Sequence, residues 1–465
     1  MSDHQWNHSI INLPQAIDSL GSYENPQIVG VIDSGSPSQG TRNYNEIDFV
    51  EPGYSAVSNE LDATRNYSVT TNNHGTFIAG IIGSKNNGQL YNGMGVKVLP
   101  IKLGSWGIKG AEPTTETSVD SINYAIGLDN ESGSLNQNIP VVLNMSYGNC
   151  ELPAYSECSA LQSALDKNIS LVVAAGNCNC DLDGVETETE CVQPTNQSLC
   201  YSEYGLAKEL FVVAALDPDN KRSSYSSKYA EVNIAAPGGK DGGYAGDMLP
   251  GLEGDNEERW DIGTSYAAPQ VAGTIALMHA ANPNLRAVDI YNILEEGGMT
   301  DDIDTPGRDA NTGHGLLNVL EAVQSASNYS GQSELQATAS ITPSSINLGF
   351  LEDSANFTLK KSGAGDLSLV SVSSNLYEHL SYQSPPEGDF GEYSILLDRS
   401  NLPDGSFKDF INFELSNGSV VKLQIAFANG EERESPPIGL IWLGLVTVNE
   451  DDELEFIGDW QPVEL

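Results

Sequence analysis

Basic side chains are scarce in this 465-residue sequence, which contains 21 lysines and arginines against 64 aspartates and glutamates. The formal net charge at pH 7 is −43, and a surface of that sign repels nucleic-acid phosphates and anionic lipids. We therefore expect no nucleic acid and no membrane among the partners. Two explanations for the excess of carboxylates stay open: solubility in salty surroundings, where their repulsion is screened, or recruitment of a basic partner.

Long apolar runs are also lacking. The longest one near the C-terminus, PPIGLIWLGLVTV at 436–448, is too short to cross a bilayer as a helix. The first residues, MSDHQWNHSI, are polar and lack the apolar stretch of a signal peptide. For a secreted protein, we expect the leader and a pro-segment to have been removed ahead of this numbering.

Cysteine is absent from most of the chain. The six cysteines are clustered at Cys150, Cys158, Cys178, Cys180, Cys191 and Cys200. An even, clustered set predicts disulfides in a loop-rich region, and hence an oxidising, extracellular compartment. A zinc site is the alternative, but the gap between Cys178 and Cys180 is shorter than in a zinc hairpin and no histidine lies in the cluster. We expect Cys150 and Cys158 to form one pair.

Short apolar runs alternate with helical patterns from about residue 27 to 325. The runs rich in β-branched residues lie at 27–33, 97–103, 139–148, 169–177 and 210–216. The helical segments between them lie at 74–84, 117–127 and 160–168. This alternation indicates an α/β fold, with a mostly parallel sheet covered by helices on both faces. A site in such a fold lies at the carboxyl ends of the strands.

After about residue 335 the pattern changes to short alternating strands separated by Gly, Pro, Asn and Asp turns. This spacing predicts a smaller all-β, immunoglobulin-like sandwich. The sandwich contains no catalytic constellation, so we expect it to act as a spacer or stabiliser. The predicted segments are an N-terminal segment at 1–26, the α/β domain at 27–325, a linker at 326–337, the sandwich at 338–430 and a strand-rich extension at 431–465.

Four polar residues stand at the ends of predicted elements. Asp33 follows the strand of VIDSG, and Asn177 follows the strand of VVAAGN. His74 begins the apolar helix of NNHGTFIAG, and Ser265 begins the helix of GTSYAAP. Acyl transfer needs this set: a hydroxyl nucleophile, a base for its proton, a carboxylate that orients the base, and a donor for the oxyanion. Each residue alone also fits a cap or a turn.

The segment DIGTSYAAPQ at 261–270 places Ser265 at a helix N-terminus, where the helix dipole favours negative charge. Pro269 follows four positions later. We expect it to be tolerated because the first turn of a helix does not use that N–H. The small Ala267 and Ala268 let the helix lie close to the sheet.

The contexts VIDSG, NNHGTFIAG, VLNMSYG, VVAAGN and GTSYAAPQVAG resemble those of the subtilisin-type serine peptidases, or subtilases. The order Asp, His, Ser is also theirs. The resemblance implies a secreted bacterial serine endopeptidase in which Ser265 is the nucleophile, His74 the general base and then acid, and Asp33 its orienting partner. Asn177 and the backbone N–H of Ser265 would form the oxyanion hole.

Three positions depart from the family pattern. Phe77 and Gln270 stand where the family often has histidine, and Tyr266 stands where it often has methionine. None of them is a triad position, so the departures concern the subfamily rather than the chemistry.

The resemblance also implies a cleft in which an extended peptide binds as an added β-strand. The residues of its two walls would be Ser146, Tyr147 and Gly148 on one side and Gly104, Ser105, Trp106 and Gly107 on the other. The first specificity pocket would be lined by Ala174, Ala175 and Gly176. Small residues there leave room for a large apolar P1 side chain, whereas the acidic stretch at 181–190 favours a basic one.

Structural calcium is the cofactor that the resemblance implies, and no organic cofactor is expected. The stretch SKNNGQLYNGMG at 84–95 is similar to the calcium loop of the family, in which Asn87 and carbonyls near Gln89 and Tyr91 would be ligands. Arg42 stands near the place where the family supplies an aspartate. The position of the calcium therefore stays open.

Two other functional classes remain. A pseudo-peptidase that only binds peptides is disfavoured, because all four catalytic residue types are intact. A transpeptidase would begin with the same acyl-enzyme, and the sequence does not separate it from a hydrolase. The expected partners are protein or peptide substrates, and the expected state is a monomer.

Overall fold

The computed structural model describes residues 5–21, 27–51, 53–57, 73–86, 91–104, 113–128, 136, 138–148, 154–177, 196–329, 338–342, 345–349, 352–362, 367–374, 376, 379–385, 388–403, 405–416 and 419–429, and the strands at 440–443, 446–448, 454–456 and 461–464. The chain divides into two compact units, Met1–Ser333 and Glu334–Leu465.

A mostly parallel sheet forms the centre of the first unit. The strands of this unit are β1 (Ile28–Asp33), β2 (Tyr54–Ser55), β3 (Lys97–Lys102), β4 (Val142–Met145), β5 (Ser170–Ala174), β6 (Leu210–Leu216), β7 (Ile234–Pro237), β8 (Leu249–Glu253), β9 (Glu257–Asp261), β10 (Thr300–Asp301) and β11 (Leu316–Leu317). Nine of them join in the order β10-β11-β7-β6-β5-β4-β1-β3-β2, whereas β8 and β9 form a separate antiparallel hairpin. Only the β10–β11 pair of the described sheet is antiparallel.

The central strands of this sheet are buried along their whole length. Every residue of β5 and of β6 is buried. Successive side chains of a strand point to opposite faces, so continuous burial means that both faces of the sheet are covered. The runs SLVVA and LFVVAAL are apolar enough for this without alternation. The predicted α/β class is confirmed, and all five predicted runs contain strands.

Ten described helices accompany the sheet. They are α1 (Trp6–Ile10), α2 (Leu13–Leu20), α3 (Arg42–Glu46), α4 (His74–Gly83), α5 (Thr115–Ala125), α6 (Tyr155–Asp166), α7 (Cys200–Tyr204), α8 (Thr264–Ala281), α9 (Ala287–Glu295) and α10 (Val319–Asn328). Short 3₁₀ turns lie at Asn196–Leu199 and Ala245–Asp247. In the described ranges, none of the helices has the length and apolar character that a membrane crossing requires.

Helix α8 is the longest described helix of the unit, and most of its residues are buried. From Tyr266 to His279 all of its residues are buried, so this part of the helix has no side that faces solvent. It packs against α4 and α10 and against four neighbouring strands, β4 to β7. Gly273 permits close packing, because a Cβ there would lie 2.3 Å from the sulfur of Met94 and that side chain would have to move. The long helix is therefore the element around which the first unit is assembled.

One disulfide is described, between Cys158 and Cys200. The predicted Cys150–Cys158 pair is therefore wrong. Cys158 faces the interior from α6, and Cys200 is the first residue of α7, which packs beside α6. Helix packing thus brings together two buried cysteines that are 42 positions apart, and proximity in sequence does not decide the pairing. The other cysteines, Cys150, Cys178, Cys180 and Cys191, lie outside the described residues.

The second unit contains two four-stranded sheets. Its strands are β12 (Thr338–Thr342), β13 (Ser345–Asn347), β14 (Ser354–Ser362), β15 (Leu369–Ser373), β16 (Leu380–Gln383), β17 (Gly391–Leu397), β18 (Gly405–Leu415) and β19 (Val420–Asn429). The sheet orders are β12-β14-β17-β16 and β13-β19-β18-β15. The ring of Phe357 in the first sheet lies 5.5 Å from that of Phe413 in the second, within one shared core. The two sheets therefore pack face to face, as in a sandwich.

Four further strands follow in the C-terminal part. They pair as two antiparallel ribbons, β20 (Leu440–Leu443) with β23 (Gln461–Glu464) and β21 (Val446–Val448) with β22 (Leu454–Phe456).

Replacing both Cys158 and Cys200 by serine should lower the free energy of unfolding. Their separation of 42 residues corresponds to about 4 kcal/mol of loop-closure entropy in the chain-entropy account. The measurement is denaturant unfolding in a Ser265→Ala background, which prevents self-digestion. Ser163→Ala on the same helix is the control, and equal midpoints for the serine pair and this control would contradict the prediction.

Candidate active site

Asp33 and His74 form a hydrogen-bonded pair where β1 ends and α4 begins. Asp33 is only 1% exposed, and its two carboxylate oxygens lie 3.0 and 2.9 Å from His74 Nδ1. With Nδ1–H donating to Asp33, the acceptor lone pair of the neutral ring is at Nε2. A general base requires this tautomer, in which Nε2 can accept a proton.

Ser34 and Gly75 hold the two elements of this pair together. The Ser34 N–H donates to Asp33 Oδ1 at 2.7 Å, and the Gly75 N–H donates to Ser34 Oγ at 2.9 Å. A Cβ on Gly75 would lie 2.3 Å from the carbonyl oxygen of Gly35. Glycine is therefore needed for the start of α4 to approach the end of β1.

The electrostatic surroundings of His74 favour its protonated form. Burial disfavours the charged ring, but the charge of Asp33 and its hydrogen bond outweigh burial, and Asp261 acts in the same direction. The pKa of His74 consequently lies above the usual histidine value, although the nearby Arg259 opposes the increase. The pair is thus arranged to accept a proton from a nucleophile.

Ser265 is the second residue of α8 and is partly buried. Its Oγ donates to the carbonyl of Ser146 at 3.2 Å, and Ser146 Oγ donates to the carbonyl of Ser265 at 2.8 Å. Asn144 in turn donates to Ser146 Oγ at 3.0 Å. Because the ring of Tyr266 lies 5.5 Å from that of His74, the start of α8 is beside the Asp33–His74 pair.

The helix-interior proline explains one of these bonds. We predicted that Pro269 falls in the first turn of its helix, and this is wrong because α8 begins at Thr264. Pro269 has no N–H to donate to the carbonyl four residues earlier, which is that of Ser265. Ser146 Oγ supplies the missing donor. The proline therefore leaves the carbonyl of Ser265 without a helical donor, and Ser146 at the end of β4 supplies one.

Asn177 lies directly beyond β5 and is exposed. Its Oδ1 accepts from the Thr264 N–H at 2.8 Å and from Thr264 Oγ1 at 2.9 Å. Thr264 Oγ1 also accepts from the N–H of Gly176 at 3.2 Å. With the amide oxygen held in this way, the Nδ2 group is directed to act as donor. The N–H of Ser265 belongs to the first turn of α8, which has no intrahelical acceptor for it.

The predicted cleft residues are partly accessible. Of the two predicted walls, Tyr147 is half-buried and Gly148 is exposed, whereas Ser146 is buried. Ala174 and Ala175 are 2% and 0% exposed, so of the pocket residues only Gly176 is accessible. Gly104 follows β3 and is buried beside Pro113. Ser105, Trp106 and Gly107 lie outside the described residues.

Tyr147 belongs to a buried polar network behind the cleft. Its hydroxyl lies 3.0 Å from Ser118 Oγ, which donates to the buried carboxylate of Glu157 at 2.5 Å. Gln197 Nε2 donates to the same Glu157 oxygen at 3.0 Å. Burial and the charge of Glu157 raise the pKa of Tyr147, so its phenol stays neutral. The wall beside Tyr147 is consequently polar underneath its ring.

The described residues do not by themselves fit a calcium ion at the predicted loop. Asn87 and Gln89 lie outside the described residues, and Tyr91 is buried. The side-chain oxygen of Gln5 already accepts from the N–H of Asn92 at 3.2 Å. The side-chain oxygens of Gln5 and Tyr91 carry no charge. In the described part of the chain, no three histidine, cysteine or acidic side chains group together as metal ligands.

The sequence profile of the subtilase family matches residues 25–345. This chain belongs to the subtilase family. A protease from Pseudoalteromonas arctica has a similar structure, with a TM-score of 0.57 and 25% identity over 70% of this chain and 97% of the other. The predicted subtilisin-like fold and the serine endopeptidase class of the catalytic domain are confirmed.

Curated relatives of this subtilase include longer proteins. The minor extracellular protease Epr of Bacillus subtilis is 28% identical, over 74% of this chain and 45% of Epr. Fervidolysin of Fervidobacterium pennivorans is 24% identical, over 94% of this chain and 59% of fervidolysin. Subtilisin DY of Bacillus licheniformis is 28% identical, over 64% of this chain and 90% of that protein. The chain thus spans about half the length of the first two.

Several residues beside the site were not singled out from sequence, although they stand inside the quoted motifs. Ser34 follows Asp33 in VIDSG, Thr264 precedes Ser265 in GTSYAAP, and Asn144 lies in VLNMSYG. A signal was therefore available, because each is a small hydrogen-bonding residue within two positions of a residue that the subtilase motif contributes. Arg259 carried no such signal, since it reaches the site only through the β8–β9 hairpin.

Thr264→Val should lower kcat with little change in KM, because it removes the hydroxyl that orients Asn177 and keeps the side-chain volume. The net value of one hydrogen bond corresponds to a loss of about threefold to tenfold. Steady-state hydrolysis of a peptide anilide is the measurement. Thr274→Val is the matched control, since Thr274 Oγ1 bonds only the Gln270 carbonyl among the described contacts of the same helix. Equal kcat for the two variants would contradict the prediction.

Proposed function

We propose that this chain is a secreted serine endopeptidase that hydrolyses peptide bonds through an acyl-enzyme on Ser265. The observation that carries the proposal is the buried Asp33–His74 pair beside the start of the helix that bears Ser265. A histidine held by a carboxylate at Nδ1 has its Nε2 available for a hydroxyl proton. Membership of the subtilase family supports the same reading.

In the proposed reaction, Ser265 Oγ attacks the carbonyl carbon of the substrate while His74 Nε2 takes its proton. The C–N bond then breaks, and His74 returns the proton to the leaving amine. Water then attacks the carbonyl carbon of the acyl-enzyme while His74 Nε2 takes a proton from it. The bond between that carbon and Ser265 Oγ breaks, His74 returns the proton to Oγ, and the acid product leaves. Asp33 keeps the ring oriented and stabilises its cation, and it does not take the proton itself.

Asn177 and the N–H of Ser265 are the proposed oxyanion donors. The amide of Asn177 is exposed at the carboxyl end of β5, and Thr264 fixes its oxygen, which leaves Nδ2 as the donor. The developing negative charge also meets the N-terminus of α8, where the helix dipole is favourable. For subtilisin itself, loss of the oxyanion asparagine costs about 10²–10³ in kcat.

The proposed substrates are proteins with a large apolar P1 residue. Gly176 is the accessible pocket residue in a wall that is otherwise made of buried alanines, and the neighbouring ring of Tyr147 is half-buried. These features suit an apolar side chain. The rival preference for basic residues depends on the acidic stretch 181–190, which lies outside the described residues.

Several finer features are proposed on the resemblance. They are secretion with removal of a pro-segment, a monomeric state, and structural calcium, which a loss of thermal stability on chelation would reveal. The segment boundaries at 27–325, 326–337, 338–430 and 431–465 are proposed in the same way. The sandwich is proposed as a spacer, and comparing activity on insoluble protein with and without residues 338–465 tests this role.

A serine-directed phosphonate should label this chain at Ser265, and Ser265→Ala should abolish both labelling and hydrolysis. Peptide mapping of the labelled protein locates the adduct. Asn177→Ala is the comparison variant, and it should keep a small residual activity because the Ser265 N–H still donates to the oxyanion. Adduct formation at another residue, or normal turnover by folded Ser265→Ala, would overturn the assignment.

Product masses separate hydrolysis, which adds water, from transpeptidation, which does not.

Substrates with Phe or Leu at P1 should have a higher kcat/KM than otherwise identical substrates with Arg. A better fit of one large apolar side chain is worth about 1–3 kcal/mol, or roughly 10- to 200-fold. Parallel measurement on an anilide series that differs only at P1 provides the ratio. A ratio in favour of arginine would reject the apolar pocket.

A further inference from the structure

The β8–β9 hairpin carries a charged cluster into the neighbourhood of His74. Arg259 on β9 donates to Glu253 Oε1 on β8 at 3.1 Å and also binds the carboxylate of Asp261. The three side chains are partly buried, with exposed fractions of 40%, 20% and 30% for Arg259, Glu253 and Asp261. A guanidinium that bridges two carboxylates is a planar, directional junction.

Tyr266 connects this junction to the catalytic base. Its hydroxyl donates to Asp261 Oδ2 at 2.5 Å and accepts from Arg259 Nη2 at 3.2 Å. Its ring lies 5.5 Å from the His74 ring and 4.4 Å from the Phe77 ring. Tyr266 directly follows Ser265, so the same side chain contacts the base and belongs to the helix turn that presents the nucleophile.

Asn73 connects the junction to the start of the helix that carries the proposed base. Asn73 Nδ2 donates to Glu253 Oε1 at 3.3 Å, and the Asn73 carbonyl accepts the N–H groups of Thr76 and Phe77 in the first turn of α4. His74 is the first residue of that helix. We name Asn73, Glu253, Arg259, Asp261 and Tyr266 the Arg259 network. Its hydrogen bonds and ion pairs form a continuous path from Asn73, the residue before His74, to Tyr266, the residue after Ser265.

We propose that the Arg259 network is a positioning device for the proposed catalytic pair, which fixes His74 against Ser265 through Asn73 and Tyr266 and sets the charge that His74 experiences. The proposal rests on the assignment of His74 as base and Ser265 as nucleophile. None of the five residues is assigned to touch the reacting atoms. Their role is to hold two helix starts, those of α4 and α8, at a constant separation.

Two of the network residues also act on His74 with opposite charge. Removal of the Asp261 carboxylate should lower the pKa of His74, and removal of the Arg259 cation should raise it. The other titratable or charged side chains on the described elements around His74 are Asp33 on β1, Glu253 on β8, Glu257 and Glu258 on β9, Tyr266 and His279 on α8, and Lys97 and Lys102 on β3, of which Lys102 is in register with Asp33. A purely structural brace has no reason to give shifts of opposite sign.

The test uses the full chain and three variants, Tyr266→Phe, Arg259→Gln and Asp261→Asn, with a peptide anilide whose leaving group is small. The acid limb of the kcat/KM profile should move to lower pH for Asp261→Asn and to higher pH for Arg259→Gln. A shift of about a third of a pH unit is expected for partly exposed charges at this range. Tyr266→Phe keeps the ring and loses the hydroxyl, so kcat should fall about threefold to tenfold at unchanged KM.

Two controls complete the experiment. Arg259→Lys keeps the charge but loses the planar fork, so it should leave the acid limb at the wild-type position and lower kcat. Arg286→Gln removes a comparable arginine that pairs with Asp289 on α9, and it should change neither parameter. Shifts in the same direction for Arg259→Gln and Asp261→Asn, or wild-type kcat for Tyr266→Phe, would overturn the proposal. Phosphonate labelling of Ser265 in each variant separates this outcome from a failure of the proposed function, which would remove labelling from the wild type as well.

Discussion

The reciprocal pair of hydrogen bonds between Ser146 and Ser265 is the junction on which the proposed site depends. One bond joins the Ser265 hydroxyl to the Ser146 carbonyl, and the other joins the Ser146 hydroxyl to the Ser265 carbonyl. They fasten the beginning of α8 to the carboxyl end of β4, and the parallel register places the end of β1 next to that strand. The position of Ser265, the proposed nucleophile, relative to the Asp33–His74 pair follows from this junction. Pro269 makes the second bond necessary, because it leaves the Ser265 carbonyl without a helical donor.

Two different contacts hold His74, the proposed base. A buried carboxylate, Asp33, binds Nδ1 of His74 directly. The ring of Tyr266 lies beside the imidazole, and the Arg259 junction holds its hydroxyl. This second support uses one of only 21 basic residues in a chain with 64 acidic ones. An arginine in this position lowers the pKa of His74 and so offsets part of the increase that Asp261 causes.

Much of the fold could be predicted from sequence, because buried parallel strands are continuous apolar runs. LFVVAAL at β6 and SLVVA at β5 are examples, and both are strands. The Asp33–His74 contact could be anticipated from the motifs around each residue. The disulfide could not, since Cys158 meets Cys200 through the packing of α6 against α7 rather than through closeness in sequence. The Arg259 network has the same character: it depends on how a hairpin folds back onto two helix starts, and no local pattern encodes that contact.

The burial of α8 has a consequence for local unfolding of the first unit. Proteins exchange their amide hydrogens through local openings where contacts with the rest of the fold are few. Helix α8 has no exposed segment from Tyr266 to His279 at which such an opening could begin, because every residue there is buried. The N-terminus of α8 is bonded to Ser146, which follows β4, through the Ser265 carbonyl, and to Asn177 through Thr264. We therefore expect the amides of α8 and the geometry around Ser265 to be lost in one cooperative step, when the sheet and this helix separate.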